Sequence, residues 1–138
     1  VKPAVLQLET HVFSQQKRMR GLMAPYGTRL MAWAPLAEGR NGIFTHPTLT
    51  AIGAKYGKTA AQTALRFLMA EDVIAIPKSV HRERLVENFS IDDFELSAED
   101  LDAIRALDGG KPMFADFNDP TLAKFLLEYD AKFNPERQ

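Results

Sequence analysis

Three short apolar runs, at residues 4–9, 29–34 and 73–76, are each followed by stretches in which apolar residues recur at helical spacing. The resulting order is strand, helix, strand, two helices, strand, helix, helix. It predicts parallel strands joined by helical crossovers, not a sandwich or a bundle. Val73, Ile74, Ala75 and Ile76 are the residues a parallel strand buries on both faces, and Pro77 cannot donate a ladder hydrogen bond, so the third strand should stop there. A sheet of three parallel strands has two open edges. It also allows every crossover helix to lie on one side, as in a segment of a closed barrel. With 138 residues and 46% hydrophobic content, the chain is expected to form one packed domain over residues 1–138.

Punctuation signals place the helices. Ser14 is the expected N-cap of a helix running to about Ala24, with Met19, Leu22 and Met23 on its apolar face and Gly27 as its stop. Pro47 suits the first position of a second helix that turns Leu49, Ile52 and Tyr56 inward and ends at Gly57. Thr59 and Gln62 have capping-box spacing and open a third helix that buries Ala64, Leu65, Phe67 and Leu68. A fourth is expected to begin near His81. Ser97, answered by Asp100 and stapled by Leu96 and Leu101, opens a fifth that runs to Leu107, where Gly109 and Gly110 stop it. Residues 110–138 read as a carboxyl-terminal loop and a final helix, with Leu122, Phe125, Leu126 and Tyr129 as its apolar side. The chain starts on Val1 with a strand almost at once, which points to a longer parent sequence.

Several function classes are excluded. Seventeen basic against eighteen acidic residues leave a net charge of -1, so no global field draws the chain to nucleic acid or to an anionic membrane. The absence of cysteine removes disulfides, thiolate metal sites and a cysteine nucleophile, and His11, His46 and His81 share no metal-ligand spacing. No apolar run approaches the roughly 20 residues of a membrane span, and no signal-peptide pattern opens the sequence. A cytoplasmic location is the expectation.

One turn suggests chemistry. Lys78 and Ser79 follow the third strand, and the helix after them would aim its unpaired N–H groups at the same turn, with Arg84 one turn further in. Such a turn suits a phosphate. By themselves, these residues are more often a solvated loop with a helix cap than a ligand site. Trp33, at the end of the second strand, is by itself more often a core side chain.

The runs Gln7-Leu-Glu-Thr-His11, Ala32-Trp-Ala-Pro-Leu36, Gly57-Lys-Thr-Ala-Ala-Gln62, Ile76-Pro-Lys-Ser79, Arg84-Leu-Val-Glu-Asn88 and Phe94-Glu-Leu-Ser97 resemble, in order and spacing, the last three β/α units of an aldo-keto reductase. The ending from Phe114 to Leu122 most resembles bacterial members that reduce diketogluconate, methylglyoxal or related small carbonyls. The resemblance implies an α/β fold that is part of a TIM (β/α)8 barrel, here its last three units plus carboxyl-terminal helices. It also implies NADPH lying across the barrel mouth and a small carbonyl substrate in the full-length protein. Carried over residue by residue, Trp33 would stack on the nicotinamide ring and Gln7 would bond its carboxamide. Pro35, Leu36 and the loop after them would cover the pyrophosphate. Lys78, Ser79, Val80 and Arg84 would hold the 2′-phosphate, Glu87 and Asn88 would face the adenine, and Met113, Phe114 and Phe117 would border the substrate pocket.

Departures from the family pattern accompany the match. Ala34 stands where Ser is common, Ala37 and Glu38 replace the usual Gly after Leu36, and Leu6 and Val12 replace the common Asn and Pro. The family's catalytic Asp, Tyr, Lys and His belong to the first half of the barrel. None of Tyr26, Tyr56 and Tyr129 lies in a catalytic context. The chain alone is therefore expected to carry cofactor-binding residues, no catalytic residue and no metal. Self-association or a missing amino-terminal half is expected to complete it. The alternatives are a non-catalytic nucleotide-binding or oligomerising module built on the same partial barrel, and a flavodoxin-like domain that uses the turn for another phosphate.

Overall fold

In the computed structural model, which describes residues 1–115, 119–122, 124, 125 and 128, the three apolar runs become β1 (Val5–Glu9), β2 (Arg29–Trp33) and β3 (Ile74–Ala75). They form a parallel sheet in the order β1-β2-β3, with Gln7 beside Met31, Glu9 beside Trp33 and Ala32 beside Ala75. β3 is shorter than its four-residue apolar run suggests. It lies at the sheet edge, with a ladder on the β2 side alone among the described strands.

Among the described residues, the α-helices that accompany the sheet are α1 (Lys17–Met23), α2 (Pro47–Lys55), α3 (Ala60–Ala70), α4 (Arg82–Phe89) and α5 (Ala98–Arg105). Consecutive right-handed crossovers that advance in one direction across a sheet must fall on the same face. The consequence is visible in the burial. Leu30 and Ala32 are buried in one core with Leu49, Ile52, Ala64, Phe67 and Leu68, and Leu6, Leu8 and Ala75 pack against that core from the same sheet face. The opposite face carries Val5, Gln7, Arg29, Met31 and Ile74, of which Val5, Gln7 and Arg29 are exposed. Parallel sheets are normally covered on both faces, so this sheet is half dressed.

Local chemistry explains most helix limits. Thr59 accepts the Gln62 N–H at 3.2 Å while the Gln62 side chain accepts the Thr59 N–H at 3.0 Å, completing the capping box of α3. Phe67 and Leu68, both about fully buried in α3, each contribute roughly 1.5–3 kcal/mol of transfer free energy. Pro47 opens α2, and Gly57 follows it with a left-handed φ of 65°.

Other expectations need correction. Ser14 does not cap α1: its backbone exchanges hydrogen bonds with His11 in an isolated bridge, and the helix starts at Lys17 after a left-handed Gln16. Leu22 is 56% exposed, so the apolar face of α1 reduces to Met19 and Met23. Ser97 does cap α5, accepting the Asp100 N–H at 3.2 Å, but Asp100 does not reach back. Its carboxylate is taken by the Lys55 ammonium and the Tyr56 hydroxyl, and the Ser97 N–H goes instead to the Tyr56 oxygen at 3.1 Å. α5 ends at Arg105, two residues before Leu107. In the expected final helix, residues 120–122 are helical and Phe125 is 58% exposed, while Leu126 and Tyr129 lie outside the described residues.

Two ionic clusters tie the helices together. Glu71, just past α3, receives Arg20 of α1 at 2.7 Å and Arg105 of α5 at 2.5 Å. Burial pushes against its charge, but the two guanidinium groups outweigh that and hold its carboxyl below the usual range. Asp100 behaves alike: burial opposes its charge, and Lys55 and Tyr56 overcome it.

Candidate functional site

Because the strands are parallel, their carboxyl ends gather at one edge of the sheet, where Glu9, Trp33 and the turn after β3 come together as neighbouring strand ends. Gln7 projects from the uncovered face, two residues before Glu9. Trp33 is half-buried. The Phe114 ring stands 5.3 Å from it at 53°, and the Arg40 guanidinium lies 4.4 Å from the Phe114 ring centre. Arg40 comes from the loop after β2, which Pro35 and Leu36 open. That loop is built largely from left-handed residues: Ala34, Ala37, Glu38 and Asn41 have φ near 50°, and Gly39 and Gly42 have 77° and 60°. Ala37 is fully buried, so the alanine that stands for the usual glycine brings a methyl group into the core at a backbone cost of roughly 1–2 kcal/mol.

The turn after β3 carries cations without counter-ions. Most basic side chains in the helical layer are paired, including Lys17, Arg20, Lys55, Lys58, Arg66 and Arg105. Lys78 and Arg84 make no ion pair among the described residues, and both are exposed at the start of α4. Ser79 Oγ accepts the His81 N–H at 3.1 Å, which tightens the turn, and no side chain caps the first N–H groups of α4. Val80 is 75% exposed. An anion with several oxygens suits this donor set.

Glu87 has a second task. Its carboxylate accepts the Thr59 hydroxyl at 2.6 Å and its carbonyl accepts Gln62 Nε2 at 3.1 Å, so it fastens α4 to the start of α3. Asn88 lines a groove of about 540 Å³ with Arg29, Met69, Ile74, Leu85 and Phe89. No residue of α4 is buried, and Leu85, Val86 and Phe89 are 48%, 56% and 83% exposed. Met113 and Phe114 are half-buried, Phe114 against Trp33 and Met113 against the main core, whereas Phe117 lies outside the described residues.

Reading the residues one by one missed Glu9 and His11. Both are buried, and the carboxylate of Glu9 accepts from the backbone of Met113 and Phe114. Three consecutive polar residues, Glu9, Thr10 and His11, at the end of a mostly apolar run were the available signal. Tyr56, Lys55 and Asp100 bring a tyrosine, a lysine and an aspartate together, but the group sits between α2 and α5, and the Tyr56 proton is committed to Asp100 at 2.7 Å. No group of three or more metal-ligating side chains occurs among the described residues, and no described helix is long and apolar enough to cross a membrane.

The sequence profile of the Aldo/keto reductase family matches residues 1–109. An aldo-keto reductase of Mycobacterium sp. (strain KMS) is 40% identical over 116 residues, covering 84% of this chain and 41% of that protein. Methylglyoxal reductase DkgA of Escherichia coli (strain K12) is 36% identical over 116 residues, covering 84% of this chain and 42% of that one. Among solved structures, MGS-M4, an aldo-keto reductase enzyme from a Medee basin deep-sea metagenome library, superposes with a TM-score of 0.82 at 35% identity, over 86% of this chain and 44% of that one. The aldo-keto reductase AKR2E5, solved in complex with NADPH, gives a TM-score of 0.72 at 32% identity, over 80% and 37% of the two chains. The chain thus spans about two-fifths of the length of these relatives.

Proposed function

Since the chain belongs to the aldo/keto reductase family, with the fold of part of that family's TIM barrel, we propose that it forms the cofactor-holding side of an NADPH-dependent reduction of small aldehydes or ketones. The observation that carries this reading is the pair of exposed cations, Lys78 and Arg84, without an ion pair among the described residues and close to the start of α4, whose first N–H groups no side chain caps. A 2′-phosphate offers three oxygens to such a set, and it is the group that separates NADPH from NADH. Ser79 and Val80 shape the turn, and Asn88 is in reach of the adenine side. Trp33 lies one strand away and Gln7 two, where an extended dinucleotide would place its nicotinamide, with Pro35 and Leu36 between.

Bound here, the cofactor supplies hydride to a carbonyl carbon. The residues of this chain bind and orient it. Trp33 gives the ring a flat apolar wall, Gln7 offers donor and acceptor to its carboxamide, and Met113 and Phe114 keep water from the same space. A carbonyl oxygen that gains negative charge needs a proton donor. In this proposal that donor lies outside the 138 residues, in strands that would pair with the free edges of β1 and β3 and cover the exposed sheet face and α4.

The test is a pair of assays on the purified chain. NADPH should quench Trp33 emission, while NADPH absorbance should not fall when methylglyoxal or another small carbonyl is added. Substrate-dependent oxidation by this chain alone would overturn the division of labour. The exposed apolar residues of α4 favour a second reading, in which copies of the chain cover one another as a nucleotide-binding or oligomerising module. A defined oligomer by sedimentation, with no gain of activity when a relative's amino-terminal half is supplied, would decide for it.

A further inference from the structure

Two buried polar side chains at the end of β1 have no task in the cofactor reading. Glu9 is 2% exposed and His11 is fully buried. A buried carboxylate is costly unless donors meet its oxygens, and here they do. His11 Nε2 lies 3.1 Å from Oε1, the Met113 N–H donates to the same oxygen, and the Phe114 N–H donates to Oε2 at 3.1 Å. The His11 tautomer follows from its other contact: Nδ1 accepts the Phe13 N–H at 3.2 Å, so the proton sits on Nε2 and points at Glu9.

The base of this arrangement is stiff. Gln16 Nε2 donates to the Glu9 carbonyl at 2.8 Å, Gln15 Nε2 donates to the carbonyls of Val12 and Ile104 at 2.8 and 2.9 Å, and the Gly109 N–H donates to the Phe13 carbonyl at 2.9 Å. What the carboxylate reaches out to is not. Among the described residues, the two bonds to Glu9 are the only hydrogen bonds made by the backbone of residues 111–115. Their effect is local and specific, because the side chain of the second anchored residue is the ring that meets Trp33 and Arg40.

We infer that Glu9 is a positioning residue for the pocket: its carboxylate holds the backbone at Met113 and Phe114 so that the Phe114 ring, backed by Arg40, rests against Trp33 and fixes the space left beside that indole. The hold on Phe114 stands on contacts alone. That the space is occupied by a nicotinamide ring rests on the cofactor reading above.

Trp33 is the single tryptophan of the chain, so its emission reports this contact without background. Glu9→Gln keeps the shape but turns an NH2 group toward a donor. Phe114→Leu keeps the anchoring bonds and removes the ring. Measured without nucleotide, both variants should raise acrylamide quenching of Trp33, and the double variant should add nothing to Phe114→Leu. Exchange of the Met113 and Phe114 amide hydrogens should quicken roughly tenfold or more in Glu9→Gln, the loss of a bond to a charged acceptor. Wild-type quenching in a folded Glu9→Gln variant would overturn the inference. So would unprotected amides at Met113 and Phe114 in the unaltered chain, a measurement that needs no variant. Failure of NADPH to quench Trp33 in the unaltered chain would count against the cofactor reading and leave the positioning role standing.

Discussion

Gly53→Ala should destabilise the chain although helix propensity argues the opposite. In an open helix interior, alanine is favoured over glycine by about 0.5–1 kcal/mol. A Cβ at position 53 of α2 would stand 2.4 Å from the Lys58 carbonyl oxygen and 2.8 Å from Thr63 Oγ1. Neither neighbour yields easily. The Lys58 N–H is bonded to the Gly53 carbonyl at 2.9 Å, and Thr63 Oγ1 donates to the carbonyl of Thr59, the cap of α3, at 2.9 Å. A normal carbon–oxygen contact of about 3.3 Å would require a backbone shift of roughly 1 Å. Overpacking of this kind costs about 1–3 kcal/mol, and at the middle of both ranges the net loss is roughly 1 kcal/mol. With an unfolding entropy near 2.1 cal/mol/K per residue, the Tm of a 138-residue chain should fall by roughly 3–4 °C. The matched control is Gly21→Ala in α1, where a Cβ meets nothing within 4 Å. It should gain the propensity term and raise Tm by about 2–3 °C. Circular dichroism melts and urea titrations measure both. A Gly53→Ala chain at least as stable as the parent would refute the account of how α2 packs on α3.

The loop after β2 makes another prediction: Glu38 holds a φ of 49° in an exposed position, so Glu38→Gly should relieve about 1–2 kcal/mol of left-handed strain against about 0.5–1 kcal/mol of glycine entropy. A small rise in the urea midpoint is expected, and a fall would contradict it. Acid should weaken the fold in two stages. Burial keeps His11 neutral and lowers its pKa despite Glu9, and Glu71 and Asp100 are held ionised by their partners. For each, the unfolded chain binds more protons as pH falls, so their stabilisation is complete above about pH 6.5 and is lost downward, first through His11 and then, below about pH 4.5, through the carboxylates. Urea midpoints should decline from pH 7 to pH 5, and His11→Asn should flatten that first decline; a parent midpoint that rises over this interval would contradict the assignment. Replacing Leu85 and Phe89 with Ser should reduce self-association in sedimentation experiments without changing the helical signal, because neither side chain is buried; unchanged association would place the contact elsewhere.

Features decided by near neighbours in sequence were legible. The Thr59–Gln62 box, the Pro47 start and the inward Phe67 and Leu68 all appear as the residue pattern dictates. The one-sided sheet followed from strand order and crossover hand. What was lost depends on distant partners. Ser14 has the chemistry of a cap, but its backbone closes a bridge with His11. Asp100 has capping spacing, but Lys55 and Tyr56, about 45 residues earlier, compete for its carboxylate. The turn proposed to hold the phosphate could be singled out because strand end, cations and helix start are contiguous at residues 73–88. The Glu9 arrangement was not, since its partners Met113 and Phe114 lie 104 and 105 residues away.

The 2′-phosphate claim has a direct measurement that needs no other part of the cofactor: calorimetric titration of the chain with adenosine 2′,5′-bisphosphate and with adenosine 5′-monophosphate. The bisphosphate should bind roughly tenfold more tightly, once the exposure of both cations is discounted. That advantage should shrink in Lys78→Ala and in Arg84→Ala and vanish in the double variant. Equal affinities for the two nucleotides in the unaltered chain would contradict the assignment of Lys78, Ser79 and Arg84 to the cofactor.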